Sequence, residues 1–205
     1  MTSAPRHTSV RACQRQGPGD DVVKEGPNRS PVWTILDDEA VFEAKPFVRV
    51  TRQRVVTCQG KEVPDYYQVS LPDFVLVWAL TPSEDVITLW QYKHGARSYG
   101  LTFPAGEIAR DEPIEAAARR ELMEETGYRA SEVQVLGKYA VNGNQGCGNA
   151  YLCTAKGCVQ VAEPRSGDLE HMDLKLMSIA EVDAAVRGGH ISVLPHLALW
   201  GSVRA

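Results

Sequence analysis

No apolar run in this 205-residue chain exceeds the seven residues Phe74 to Leu80, against the ~20 that a bilayer-spanning helix needs. A transmembrane helix is therefore not expected. Cysteine is scarce and odd in number: Cys13, Cys58, Cys147, Cys153 and Cys158 contain no C-x-x-C pair, which supports neither a disulfide framework nor a zinc ribbon and leaves reduced thiols in strands and a loop. Positive charge is in deficit, with 22 Lys and Arg against 26 Asp and Glu and a net charge of -4. That balance disfavours binding to a nucleic acid backbone. It also means that an anionic small molecule meets a repulsive average field, so a phosphate site needs local cations or a metal ion. The first residues carry Arg6, Arg11 and Arg15 with no apolar block behind them, unlike a secretory signal, and the expected location is cytoplasmic. No repeat at solenoid periods is present.

Residues 1–31 are rich in Pro, Gly, Ser, Arg and Asp and bury too little apolar surface to offset their ordering entropy, which predicts a disordered tail. From Val32 the pattern changes to short apolar or alternating runs broken by turn signals, and predicts strands over Ala40–Glu43, Phe47–Cys58, Val63–Leu71, Phe74–Thr81 and Val86–Tyr92. Gln59-Gly60-Lys61 reads as a hairpin turn. The strand signal stops around Phe103-Pro104-Ala105-Gly106. Asp111-Glu112-Pro113 then starts a helix, with proline at the first helical position and acids at the positive end of the dipole. Thr126 ends that helix and Gly127 stops it. Further strands are expected at Glu132–Val141, Ala150–Ala155 and Met172–Met177, separated by a glycine-rich loop Asn142–Asn149 and a polar loop Ala162–His171. Ser178 caps a second helix ending at Gly188-Gly189, and Ser192 starts a third through Val193, Leu197 and Trp200. The class is α/β, a mixed sheet with helices packed on it. The division is a tail over 1–31, an N-terminal β region over 32–71 and an α/β domain over 72–205.

The helix after Pro113 carries an anomaly. At 100° per residue, Ile114, Ala117, Ala118 and Leu122 form the stripe that must pack on the sheet. Glu121 and Glu125 fall within about 20° of the Ile114 direction, and Glu124 lies at the edge of the same stripe. Two carboxylates ~6 Å apart repel by roughly 3 kcal/mol at an effective dielectric of 20, so the arrangement needs a compensating cation. Arg120 is a candidate through an i,i+4 pair with Glu124, while Arg119 points away. A hard divalent ion, Mg²⁺ or Mn²⁺, suits several converging carboxylates better.

The whole stretch reads Gly106, five residues, Glu112, seven residues, then Arg120-Glu121-Leu122-Met123-Glu124-Glu125-Thr126-Gly127-Tyr128. It resembles the signature of the Nudix hydrolase family, the Nudix box, at every fixed position. Gln91-Tyr92-Lys93-His94-Gly95 and Leu101-Thr102-Phe103-Pro104-Ala105-Gly106-Glu107 resemble the ADP-ribose pyrophosphatase branch of that family. The resemblance implies an α/β/α sandwich with a mixed β-sheet, preceded by a small antiparallel sheet used for homodimerisation and base binding. It also implies divalent-metal-dependent hydrolysis of a diphosphate linkage in ADP-ribose or a related nucleoside diphosphate sugar, giving a nucleoside monophosphate and a sugar phosphate. A nucleotide-ligand sensor, or a hydrolase of dinucleoside polyphosphates or coenzyme A, is the alternative.

By the same resemblance, Glu121 and Glu125 are the main metal ligands, joined by Glu124 and the carbonyl of Ala105, and Arg120 orients the glutamates. Gly106 and Glu112 support the substrate side, and Lys93 stands where the branch usually has an arginine. Trp33, Phe47, Tyr66 and Tyr67 are candidates to stack on a base or to fill the core. In the later loop, which offers Glu163, Asp168, Glu170 and Asp173, the segment Asp168 to Leu174 points to Glu170 as the general base, with His171 beside it. One departure concerns substrate: Asn142–Asn149 stands where the branch carries a proline, so nucleoside diphosphate sugars stay beside ADP-ribose as expectations. The partner is a small nucleoside diphosphate-linked substrate, with no nucleic acid polymer and no membrane.

Overall fold

The structure, a computed structural model, describes residues 32–167 and 171–204. The chain divides into Met1–Val32 and a compact unit Trp33–Ala205. The predicted tail lies outside the described residues. The compact unit opens with an antiparallel meander, β1 (Thr34–Ala44), β2 (Val48–Val56) and β3 (Glu62–Ser70). Its second hairpin turns at Gly60, whose φ of 78° needs no Cβ and whose N–H bonds the Thr57 carbonyl at 2.9 Å. Arg52 to Glu39 at 2.5 Å and Arg54 to Glu62 at 3.0 Å are exposed cross-strand pairs that fix register more than stability.

The apolar run Phe74–Leu80 becomes β4 (Phe74–Ala79), and its burial explains its composition. Val75, Val77 and Ala79 pack on one side with Ala117, Ala118 and Leu122 of the helix α1 (Ile114–Thr126). Leu76 and Trp78 pack on the other with Val182 of α2 (Ile179–Arg187) and Leu199 of α3 (Leu194–Arg204). A strand covered on both faces has no polar side to show, so alternation disappears. These two clusters are the two halves of an α/β/α sandwich, and each fully buried Leu, Ile or Phe contributes roughly 1.5–3 kcal/mol. Within the sheet, β4 runs antiparallel to β7 (Ala105–Glu107) and parallel to β10 (Gly146–Lys156), which forms a hairpin with β9 (Glu132–Asn142). The N-terminal meander joins this sheet by one parallel contact, Gly146 opposite Val69. A second sheet has β5 (Val86–Lys93) between β6 (Ser98–Thr102) and β12 (Met172–Met177), and a short ladder pairs β8 (Tyr128–Arg129) with β11 (Val159–Gln160).

Several expectations are corrected. Strand structure resumes on both sides of Phe103, as β6 and β7, because backbone pairing to β5 and β4 outweighs the weak propensity of Gly100 and Gly106. The glycine-rich segment is a hairpin rather than a long loop. Asn142 Oδ1 accepts the N–H groups of Asn144 and Gln145 at 2.8 and 2.7 Å, and β10 begins at Gly146. Pro113 is the N-cap of α1, with ψ 142°, instead of its first helical residue. The third helix begins at Leu194, and Ser192 instead meets Ser98 at 3.2 Å. Ser178 caps α2 as expected, through a full capping box with Glu181.

Gly127 ends α1 at φ 75°, donating to the Met123 carbonyl. The chain that returns later crosses this end: Val161 and Ala162 donate to the Gly127 carbonyl and Arg165 to that of Glu124. A Cβ on Gly127 would overlap the Ala162 carbonyl, whereas Gly189, at φ 76°, has open space around it. Gly127→Ala is expected to lose about 2 kcal/mol or more in urea unfolding, and Gly189→Ala about 1, the cost of the left-handed backbone alone. Equal losses would show that the crossing chain moves aside freely.

Candidate active site

Glu121 and Glu125 sit on the sheet-facing side of α1, as the helical spacing requires, and are only 9% and 5% exposed. Each is held differently. Glu125 Oε2 accepts the N–H of Ala105 at 2.9 Å, tying α1 to the start of β7. Glu121 Oε1 accepts from Arg120 at 2.5 Å, and its carboxyl group occupies the space over Gly106, where a Cβ would overlap it. Gly106 is thus required by the close approach of Glu121. Glu124 is largely exposed, with Oε2 3.1 Å from Arg120.

Arg120 does more than form the expected i,i+4 pair. Its Nε and Nη2 grip both oxygens of Glu112 at 2.9 Å each, Nη1 donates to Glu121 and Glu124, and Nη2 also reaches the Glu107 carbonyl at 2.8 Å. This planar fork is arginine's, and lysine could not reproduce it. The Arg120 hydrogen bond, reinforced by the Ala109 N–H, brings the Glu112 carboxyl down to about 2, and Glu112 in turn holds Arg120 above its ordinary value. Both oxygens of Glu112 are therefore engaged, and it serves the site through Arg120. Arg119 bonds the Ala130 carbonyl instead.

Three carboxylates around one guanidinium, with the buried Glu125 one turn along the helix from Glu121, leave a surplus of negative charge, partly buried, which a divalent cation would offset. Among the described residues no three acidic, imidazole or thiol side chains converge as a ready-made cage. The Glu121–Glu125 pair offers two hard oxygen donors, which fits Mg²⁺ or Mn²⁺: such ions take one or two carboxylates and fill their remaining positions with water and substrate phosphate. The thiols lie elsewhere. Cys58, Cys147, Cys153 and Cys158 are free, and burial pushes Cys153 and Cys158 up to about 12 and about 11.

The remaining candidates are dispersed. Lys93 and His94 line an open cavity of about 550 Å³ with Ser192, Val193 and Leu194 at the start of α3. Trp33 meets Tyr66 edge to face at 5.3 Å and lines another, of about 460 Å³, with Gln68, Asn142, Gly143 and Asn144. Tyr66 and Gln68 both donate to the Asn144 carbonyl, holding the turn that faces Trp33. Trp33, Phe47 and Tyr67 are exposed, so they do not fill the core. Neither cavity includes the box carboxylates in its lining. Asp168 and Glu170 lie outside the described residues, and the exposed His171 pairs with Asp173 at 3.0 Å.

Sequence reading missed two buried polar side chains beside the site. His196 of α3, 5% exposed, accepts the N–H of Phe103 at Nδ1, and burial, with Lys93 nearby, pushes it down to about 3. Gln91 of β5 donates to Thr102 Oγ1 at 2.7 Å. Only Gln91 left a signal, a polar residue at an inward position of a central strand.

Fold and site together define an α/β/α-sandwich protein whose helix presents buried carboxylates suited to a divalent cation. The NUDIX domain model matches residues 71–197, more than half of the sequence, and the chain belongs to the NUDIX domain family. A stretch of 46 residues is 54% identical to an ADP-sugar pyrophosphatase of Mus musculus, covering 22% of this chain and 21% of the relative. The match thus spans about a fifth of that curated relative's length. The crystal structure of an ADP compounds hydrolase superposes with a TM-score of 0.73 at 19% identity, covering 86% of this chain and 95% of the other. This likeness shows the fold.

Because the folded Glu112 carboxyl titrates near 2 rather than 4.5, the unfolded chain takes up that proton first as pH falls. The stability supplied by the Glu112–Arg120 fork is complete above about pH 4.5 and lost on the way down to about pH 2. Over that window the urea midpoint of the native protein should fall more steeply than that of Glu112→Gln. Parallel slopes would count against a structural role for the fork.

Proposed function

We propose that this protein is a divalent-cation-dependent hydrolase of the diphosphate linkage in ADP-ribose or a related nucleoside diphosphate sugar, releasing a nucleoside monophosphate and a sugar phosphate. The observation that carries the reading is the buried Glu121–Glu125 pair on the box helix, held by Arg120 and by the Ala105 N–H. Glu121, Glu125, the Ala105 carbonyl and, at the rim, Glu124 would hold Mg²⁺ or Mn²⁺. Bound there, the ion supplies Lewis acidity toward a phosphoryl oxygen and a water of lowered pKa. The chain's own residues do the rest. Arg120, braced by Glu112, fixes the Glu121 carboxylate so that it need not reorganise during the reaction. Lys93 contributes positive charge to a cavity wide enough for a phosphate group, and Trp33 presents an exposed aromatic face of the kind a nucleobase stacks on. Glu170 is the proposed general base.

The substrate assignment draws on the resemblance of Gln91–Lys93 and Leu101–Glu107 to the ADP-ribose pyrophosphatase branch and on the short match to a mouse ADP-sugar pyrophosphatase. A homodimer is part of the proposal. Every residue from Thr34 to Glu43 in β1 is exposed, including Ile35, Leu36, Val41 and Phe42, and β1 forms the open edge of its sheet, which a second copy would cover. Free cysteines accord with a cytoplasmic location.

With Mg²⁺ and ADP-ribose, inorganic phosphate should appear only when alkaline phosphatase is added, because that enzyme acts on the monoester products and not on the intact diphosphate. Glu121→Gln and Glu125→Gln should each lower kcat on the order of a hundredfold or more, and Glu170→Gln by roughly a hundredfold or more with nucleotide affinity retained. Full turnover in both box variants would overturn the mechanism; an unchanged kcat in Glu170→Gln would move the base to Glu163 or Asp173.

A further inference from the structure

Four consecutive residues, Thr102, Phe103, Pro104 and Ala105, are gripped from four different elements. Gln91 of β5 donates to Thr102 Oγ1 at 2.7 Å, and His196 of α3 accepts the Phe103 N–H at 3.1 Å. Val77 of β4 donates to the Pro104 carbonyl at 2.8 Å, and Glu125 of α1 accepts the Ala105 N–H at 2.9 Å. Two of these grips are chemically expensive. Gln91 is 2% exposed and its Oε1 has no hydrogen-bond partner, so the side chain loses the hydration of a carbonyl to make one N–H bond. The amide orientation follows from the network: Thr102 Oγ1 donates its proton to the Leu89 carbonyl at 3.3 Å, so a lone pair faces Gln91 and the amide nitrogen must point to it. His196 is buried and neutral, with its charged form strongly disfavoured by burial.

An apolar side chain at position 91 would leave no orphaned oxygen in this buried place. Both polar groups instead converge on the segment that ends at the Ala105–Glu125 contact. We propose that Gln91 and His196 are positioning residues for the metal-binding carboxylates: they clamp Thr102 and Phe103 so that the Ala105 backbone meets the Glu125 carboxylate in one fixed geometry. This rests on the reading of Glu121 and Glu125 as the metal-holding pair. Gln91 and His196 act through the backbone and do not touch substrate, so their loss changes how well Glu125 is placed rather than how well nucleotide binds.

The test uses the full chain, with Mn²⁺ affinity followed by electron paramagnetic resonance, turnover of ADP-ribose, and thermal unfolding. Gln91→Met removes the orphaned oxygen and the bond to Thr102 together. It should leave Tm equal or higher, lower kcat and Mn²⁺ affinity about tenfold or more, as losing partners that orient metal ligands does, and change KM less than twofold. His196→Leu should lower both in the same way, and His196→Asn, whose Oδ1 can accept the Phe103 N–H, should restore most of the loss. A lower Tm with kcat and Mn²⁺ affinity intact would overturn the clamp and leave a packing role. If the native protein binds Mn²⁺ but hydrolyses no ADP-ribose, the substrate reading fails while the affinity series still decides the clamp; if it binds no Mn²⁺, the clamp falls with the metal site.

Discussion

Two carboxylates on the buried side of a helix set the terms for the rest of this molecule. Glu121 and Glu125 occupy positions that packing alone would give to leucine, and they persist because α1 and β7 supply partners for them. Arg120 binds Glu112, Glu121, Glu124 and the Glu107 carbonyl with one planar group, so the helix is fastened to the loop before it through electrostatics as well as packing. The same guanidinium leaves the cluster net negative, and that residual charge makes the site receptive to a divalent ion. On the proposed reading, structural cohesion and metal affinity come from one set of residues.

The scaffold serves this helix from both sides. β4 separates two apolar clusters, and its alternate residues anchor α1 on one face and α2 with α3 on the other. The far face communicates with the site through short covalent distances: Phe103, buried against Trp78 with ring centroids 5.1 Å apart, is two residues from Ala105. The C-terminal end of α1 is covered by the backbone of Val161 to Arg165, a contact that only a glycine at position 127 admits. Packed elements therefore bound the acidic helix at its face, at its entry and at its end.

The N-terminal meander differs in character. β1 buries no side chain fully and joins the remainder of the sheet only through β2 and β3, with Gly146 opposite Val69 as the contact. Its exposed aromatic and aliphatic residues belong to a surface that a lone copy leaves wet, while its inner end, at Trp33, Tyr66 and Gln68, meets the Asn142–Gln145 turn around a cavity. That turn occupies the place where a proline was expected from the family pattern. Its side-chain amides and backbone carbonyls give the wall of the cavity a polar character that proline would lack.

Local spacing accounts for most of the fold. The stripe Ile114, Ala117, Ala118, Leu122 and its intrusion by Glu121 and Glu125 follow from 100° per residue, and the Ser178 cap and the Gly127 stop follow from backbone chemistry confined to a few residues. The box motif identified the family because its residues are contiguous. What escaped were features whose cause lies in partners distant in sequence. β6 and β7 exist because β5 and β4 pair with them, β10 starts as early as Gly146 because β9 and β3 pair with it there, and Lys93 and Trp33 face different cavities. Gln91 and His196 became meaningful only when strand pairing and helix packing brought them, from positions 91 and 196, onto neighbouring residues of one segment. The sequence by itself determined which residues form the acidic face of α1, since charge and helical period are local properties; tertiary structure alone decided how those residues are braced, since a hydrogen bond depends on where two separated pieces of chain meet.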